Sequence, residues 1–142
     1  GFLGTEASNL VDINLILQTA IITFLGSGWF FARRARFLNH GKFMATAILL
    51  NILSLIFVMF PSLVEGGGVI VEKPTNPGVI ISVIHVLVGG FALSSGVYFL
   101  WKWRFSKTYM ECLGRRNWMR ITAYLWTVAT LTGIGFYIYY YL

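Results

Sequence analysis

Residues 79–101 read VIISVIHVLVGGFALSSGVYFLW and contain no Asp, Glu, Lys or Arg. A helix of about 20 apolar residues is long enough to cross the ~30 Å hydrocarbon core of a bilayer. Backbone groups in lipid must find their hydrogen-bond partners within the chain, so an uncharged stretch of this length predicts a transmembrane helix. This stretch decides the fold, because three other segments share its character.

The composition of the whole chain agrees with a membrane location. It is 57% hydrophobic and 11% charged, whereas soluble domains carry about 25% charged residues. We therefore predict one all-α domain over 1–142, an integral membrane four-helix bundle. The predicted spans are 12–31, 43–60, 79–101 and 118–141. Pro61 is expected to end the second of them, since proline disrupts a continuing helix.

The charged residues divide the connections between spans into two kinds. Ten of the eleven Lys and Arg residues lie in the first and third connections, which together carry a net charge of +9. The N-terminal segment and the second connection together carry −3. Because basic loops remain in the cytoplasm, this asymmetry predicts that both termini face the outer side. Basic residues clustered beside Trp and Phe indicate membrane anchoring, and they argue against a nucleic-acid surface.

Small residues recur on one face of the third span. Gly89, Ala92 and Gly96 follow one another at helical spacing, and the fourth span carries a matching stripe that includes Ala129 and Gly133. Small side chains allow transmembrane helices to approach closely. We therefore expect the third and fourth helices to pack along these stripes.

Three polar side chains are predicted to form a layer inside the bundle. Counted from the outer ends of their helices, Gln18, Asn51 and His85 lie about six to nine residues deep, which is a narrow range of depth at 1.5 Å per residue. Ionisable groups within spans often mark function, so His85 is a candidate cofactor ligand or proton relay. The alternative is a neutral histidine that holds helices together through a hydrogen bond to Gln18 or Asn51.

Other chemistry-bearing residues are sparse. His40 precedes the second predicted span, where Asn39 could cap the helix. His40 and His85 differ in depth by roughly 20 Å, so they cannot ligate one haem. The chain has no spacing typical of a metal site, and Cys112 has no nearby histidine to activate it. We therefore predict no catalytic residue and no metal site.

The second connection carries two further features. The three glycines 66–68 are predicted to form a flexible turn, because no Lys-Ser or Lys-Thr follows them as in a phosphate-binding loop. The apolar residues 69–71 come next. We expect that segment to dip into the membrane interface or to contact a partner subunit.

Several short motifs occur together in an order that is similar to a known family. They are Gly1-Phe2-Leu3-Gly4-Thr5, Asp12-Ile13-Asn14-Leu15, Ala32-Arg33-Arg34, His40, Asn51, Pro61-Ser62 and His85. Over most of its length the chain resembles the small four-helix membrane proteins of the domain of unknown function family 420. That family is associated with aerobic respiratory chains, and one branch with assembly of haem–copper oxidases. The resemblance places His40 and His85 where the family has histidines.

The resemblance implies an accessory role in a prokaryotic plasma membrane. This chain has two histidines, which favours a non-catalytic accessory or assembly subunit of a membrane oxidoreductase over a haem- or copper-handling protein. The complex would be a terminal oxidase or a copper-dependent membrane monooxygenase, with haem or copper in the partner subunits. Two alternatives stay open: a membrane redox protein that binds haem or metal through His85, and a small transporter.

Overall fold

The computed structural model describes residues 1–103 and 114–142. Its elements are α1 (Asn9–Arg33), α2 (Phe37–Ser54), a π-helical turn (Leu55–Met59), α3 (Phe60–Glu72), α4 (Pro77–Trp103) and α5 (Arg116–Tyr141). Four helical segments are long and apolar enough to cross a membrane, namely Asn9–Arg33, Phe37–Glu65, Pro77–Trp103 and Arg116–Tyr141. The prediction of an all-α chain is therefore confirmed for the described residues, and so is the prediction of four helices long and apolar enough to span a membrane.

The second helix does not end at Pro61 as the sequence predicted. It continues through the π-helical turn into α3 and ends at Glu72. Proline lacks an N–H group, and its ring clashes with the carbonyl four residues earlier in a regular α-helix. The π-helical turn directly before Pro61 changes the hydrogen-bond register, with the Phe60 N–H bonded to the Leu55 carbonyl. This local change of register allows the helix to pass the proline.

Two further predictions about this helix are wrong. Residues 66–68 are helical and do not form a flexible turn. Asn39 does not cap the helix, because α2 begins at Phe37, and its N-cap residue is Arg36 without a side-chain cap. The connection from α1 is only three residues long and contains Ala35 at φ 56°. This left-handed residue reverses the chain sharply, so α2 begins earlier than its apolar pattern suggests.

The starts of α1 and α4 follow ordinary capping rules. Ser8 caps α1 by accepting a hydrogen bond from the Val11 N–H. Asn76 caps α4 by accepting from the Gly78 N–H at 2.9 Å, and Pro77 occupies the first helical position. A proline there costs no hydrogen bond, because the first N–H groups of a helix have no partner within it.

The four long helices pack as antiparallel neighbours in a ring. Side-chain contacts join residue 28 to residue 40 and residue 18 to residue 54, so α1 and α2 run in opposite directions. Contacts of residue 85 with residue 132, and of residue 96 with residue 126, give the same relation for α4 and α5. The ring closes through α2 against α4 and α1 against α5.

The buried core lies at the centre of this ring and draws on every long helix. Its members are Ile21, Leu25, Ala47, Ile48, Ala92 and Trp126. Trp126 is the largest of them, and it packs against the small residues of α4. The ends of the bundle differ in charge: Arg33, Lys42, Lys102 and Arg116 are at one end, called the basic end below.

Candidate functional site

A buried acidic cluster lies at the end of the bundle opposite the basic end. Asp12 is completely buried, and one of its carboxylate oxygens accepts a hydrogen bond from the Tyr137 hydroxyl at 2.6 Å. The other oxygen accepts from the backbone N–H of Leu3 at 2.9 Å. Thr5 lies 2.9 Å from the Tyr137 hydroxyl and 3.4 Å from the carboxylate. The cluster joins the N-terminal segment, the start of α1 and the end of α5.

Sequence reasoning did not find this cluster. Four tyrosines, at positions 137 and 139–141, crowd the end of the chain, a pattern typical of the aromatic belt at a membrane interface. A signal for Tyr137 does exist, because it follows Trp126, Thr130 and Gly133 at helical spacing on the inward face of α5. Tyr139 and Tyr140 are exposed, whereas Tyr137 is buried.

A second polar cluster joins α1 to α2. The Gln18 side-chain amide donates to the Ser54 hydroxyl at 3.0 Å and lies 3.4 Å from the Asn14 side-chain oxygen. The Ser54 hydroxyl in turn donates to Asn14. Gln18 and Ser54 are both buried, so the cluster satisfies polar groups that would otherwise be costly inside the bundle.

His85 uses a different partner from those predicted. Its Nδ1 lies 3.0 Å from the Thr132 hydroxyl of α5, and its ring meets Phe136 edge-on at 5.8 Å between centroids. The expected bond to Gln18 or Asn51 is therefore replaced by one across the α4–α5 interface. The Cε1 atom of the imidazole also faces Gly133, where a β-carbon would lie 3.4 Å away.

Gln18, Asn51 and His85 nevertheless line one cavity. It has a volume of about 570 Å³ and lies between the helices. Relative to Trp126, it is on the side away from the basic end. Its lining also includes the buried Thr130. A cavity of this size falls within the ~300–1,000 Å³ typical of small-molecule sites. The structure thus places the three predicted polar residues around one space, without hydrogen bonds that join all three.

The small residues predicted for helix packing lie between α4 and its neighbours. A β-carbon at Gly96 would lie 2.8 Å from Trp126 and 3.4 Å from Ile48, and one at Gly89 would lie 3.9 Å from Ala129. Ala92 is buried beside them. Gly96 is therefore the position at which the α4 backbone approaches most closely among these three.

His40 lies within α2 and ties it to α1. Its Nδ1 is 2.8 Å from the Gly28 carbonyl oxygen. The next residue, Gly41, packs directly against the indole of Trp103, leaving no room for a β-carbon. His40 therefore has a structural partner at the basic end, and it lines a different cavity from the one His85 lines.

Residues that could hold a metal ion are dispersed. Within 1–103 and 114–142, no three His, Cys, Asp or Glu side chains lie close enough to bind one. Cys112 falls outside the described residues, as do Arg104, Lys107 and Glu111 of the third connection.

Comparison of the chain with protein-family models, with curated proteins and with solved structures gives no match. The resemblance to the domain of unknown function family 420 therefore stays a prediction. The class that the structure does establish is an all-α protein whose four apolar helices suit a lipid bilayer.

Proposed function

We propose that this protein is a non-catalytic accessory or assembly subunit of a multi-subunit membrane oxidoreductase. The observation that carries the proposal is the exposed apolar surface of α3. Apart from Gly67, every residue of α3 whose burial the structure describes is exposed. Val64 is 65% exposed and Val71 is 81% exposed, and their spacing of seven residues puts them on one face of the helix.

The length of the second helix supports the same proposal. It runs unbroken from Phe37 to Glu72, about 54 Å at 1.5 Å per residue. The hydrocarbon core is only ~30 Å thick, so α3 projects beyond it or lies along its surface. Apolar side chains exposed at that level need a cover, and exposed apolar patches commonly mark interaction sites. A neighbouring membrane subunit supplies such a cover.

The oxidoreductase part of the proposal rests on the family resemblance. A terminal oxidase or a copper-dependent membrane monooxygenase fits that resemblance, and haem or copper would reside in the partner subunits. The sparse chemistry of the described residues is consistent with a supporting role, since their polar side chains mainly connect helices to one another.

Purification from native membranes in a mild detergent tests the proposal. A tagged chain should retain stoichiometric integral membrane partners, and the complex should contain haem or copper. The double variant Val64→Ser/Val71→Ser should lose those partners while keeping the bundle. The matched control is Leu87→Ser/Leu131→Ser, which alters exposed apolar residues of α4 and α5 and should keep the partners. A wild-type chain that runs alone contradicts the proposal.

We also propose a prokaryotic plasma membrane as the location, with the basic end in the cytoplasm. The charge asymmetry of the connections supports this orientation, because each basic residue near anionic lipid contributes about 1 kcal/mol. Both termini would then lie on the outer side.

The cavity beside His85 favours one alternative function, a redox protein that binds haem or metal through this histidine. An optical spectrum and a metal analysis of the purified chain separate the two functions. A Soret band that disappears in His85→Ala would support the alternative, and its absence together with absence of metal would remove it. Ion or solute flux into liposomes would instead support the small-transporter alternative.

A further inference from the structure

A second cavity, of about 500 Å³, lies at the basic end of the bundle. Its walls come from α1, α2, α4 and α5. Leu25, Met44, Ile48, Phe99 and Leu100 are among the apolar residues that line it. Trp126 separates it from the cavity beside His85, because this residue lines both.

The outer part of this basic-end cavity carries three guanidinium groups. Arg33, Arg116 and Arg120 line it, and all three are exposed. The Arg33 guanidinium lies over the Trp29 ring, 5.0 Å from its centroid. In the part of the chain that the structure describes, no carboxylate forms an ion pair with Arg116 or Arg120. The cavity therefore presents three guanidinium groups at the basic end of the bundle, where anionic lipid headgroups attract positive charge.

Two residues that line the deeper part each carry a buried polar atom without a partner. Trp126 Nε1 and Thr122 Oγ1 have no hydrogen bond to any described residue, and both side chains are more than nine-tenths buried. Buried polar atoms are nearly always hydrogen-bonded, so an unsatisfied pair in one cavity needs an explanation. An indole N–H only donates, and a hydroxyl can donate. Both residues line the cavity, so an acceptor that enters it and displaces the atoms covering these two groups would satisfy both.

Thr122 differs from the other threonines inside the helices. Most of them satisfy their hydroxyl by donating to a backbone carbonyl four residues earlier: Thr19, Thr23, Thr46, Thr127 and Thr130. This local bond is the usual solution for threonine in a helix. The Thr122 hydroxyl does not make this bond, so it has no hydrogen-bond partner among the described residues.

We propose that the basic-end cavity binds one anionic phospholipid from the adjacent leaflet. The phosphate lies among the three guanidinium groups, and an ester carbonyl accepts hydrogen bonds from Thr122 and Trp126. One acyl chain follows the apolar walls. Along α5, Trp126 lies ten residues beyond Arg116, about 15 Å deeper. This order of positive charge, hydrogen-bond donors and apolar surface matches the order of groups along a phospholipid. Basic pockets between transmembrane helices bind such headgroups in general.

Titration of the delipidated full-length chain with phospholipids, followed by native mass spectrometry, tests the proposal. Phosphatidylglycerol should bind at least tenfold more tightly than phosphatidylcholine with identical acyl chains. Arg116→Gln/Arg120→Gln should remove that preference. Thr122→Val should weaken binding about fivefold, since it removes one hydrogen bond while keeping the shape of the side chain. Trp126→Phe should weaken binding at least as much, since it removes the indole N–H together with part of the ring. Circular dichroism confirms that each variant is folded.

The matched control is Arg34→Gln. Arg34 lies at the same end of the bundle, over the Phe30 ring, but it does not line the cavity. Its variant should keep the affinity and the preference of the wild type. A loss as large as that of the double arginine variant would indicate general surface attraction and would overturn the proposal.

Three other results would also overturn it. The first is equal affinity for the two phospholipids. The second is unchanged binding in both Trp126→Phe and Thr122→Val, because the deep part of the cavity would then be unoccupied. The third is displacement of the lipid by inorganic phosphate or by a neutral short-chain quinone at equal concentration, which would assign the site to a free anion or to an uncharged carbonyl compound.

Discussion

At the scale of single residues, the buried Asp12 carboxylate connects distant parts of the chain. A carboxylate removed from water is costly unless it is well hydrogen-bonded. Here two oxygens accept from Tyr137 and from the Leu3 backbone. Asp12 also lies in the first turn of α1, where the helix dipole favours negative charge. The cluster therefore fixes the N-terminal segment against the end of α5.

Tyr137→Phe is expected to destabilise the protein. The substitution keeps the ring but removes the hydroxyl that donates to Asp12, leaving a buried carboxylate with one donor fewer. The thermal midpoint in detergent, followed by near-ultraviolet circular dichroism, should fall by several degrees. Tyr139→Phe is the control, because Tyr139 is 80% exposed. Equal midpoints for the two variants would show that the hydrogen bond to Asp12 contributes nothing.

Gly96→Ala should destabilise the protein, whereas Gly90→Ala should not. A β-carbon at residue 96 meets Trp126 at 2.8 Å, but one at residue 90 meets nothing within 4 Å. Overpacking a filled core costs about 1–3 kcal/mol. Replacing an unobstructed helical glycine with alanine instead gains up to about 1 kcal/mol. Unfolding in a denaturing detergent measures the change in the free energy of unfolding for both variants, which lie on the same helix. A change of the same sign in both would contradict the packing described.

At the scale of elements, α3 shows where local sequence signals mislead. Pro61 and the glycines 66–68 each predict an interruption, yet the helix continues to Glu72. Proline removes only the hydrogen bond of its own nitrogen. The shift in hydrogen-bond register over Leu55–Met59 avoids the clash of the proline ring with the carbonyl four residues earlier. Glycine lowers helix propensity without forbidding the helix. The positions of the four spans could be predicted, because hydrophobicity and segment length are sufficient to locate them.

Alanine substitution tests whether residues 66–68 are helical. Space is open around Gly67 and Gly68, since no atom lies within 4 Å of a β-carbon at either position. Gly67→Ala/Gly68→Ala should stabilise α3 by up to about 1 kcal/mol for each residue. Hydrogen exchange should then slow across 60–72, while α4 serves as the internal reference. Unchanged or faster exchange in that segment would favour the turn that the sequence predicted.

Partner choice within the bundle was harder to predict than helix position. Depth along each helix predicted Gln18 and Asn51 at a similar level, and both residues line one cavity. Depth alone cannot choose between Asn51 and Ser54, which are three residues apart on one face of α2, and Ser54 makes the bond. The choice depends on small rotations of α2 that the hydrophobic pattern does not encode. The hydrogen-bond partner of His85 was equally hard to predict, because Thr132 is one of several neighbouring residues on α5.

At the scale of the whole molecule, charge and packing describe one ring of helices with two different ends. The basic end holds a cavity with exposed arginines, and the opposite end carries the Asp12 cluster and the N-terminal segment. Hydrophobicity predicted the number of helices, and the antiparallel order follows from their short connections. Orientation in the membrane stays a prediction, because it depends on the basic connections and on the membrane's own asymmetry.

Labelling of Cys112, the chain's one cysteine, tests the orientation of the whole bundle. It belongs in sequence to the basic third connection, so a membrane-impermeant maleimide should label it in inverted vesicles and not in right-side-out vesicles. Thr75→Cys in a Cys112→Ser background should give the opposite result, because Thr75 is exposed in the connection before α4. Labelling after detergent solubilisation controls for the reactivity of each thiol. The reverse pattern would place the basic end outside the cell, and it would mean that ten basic residues fail to determine topology.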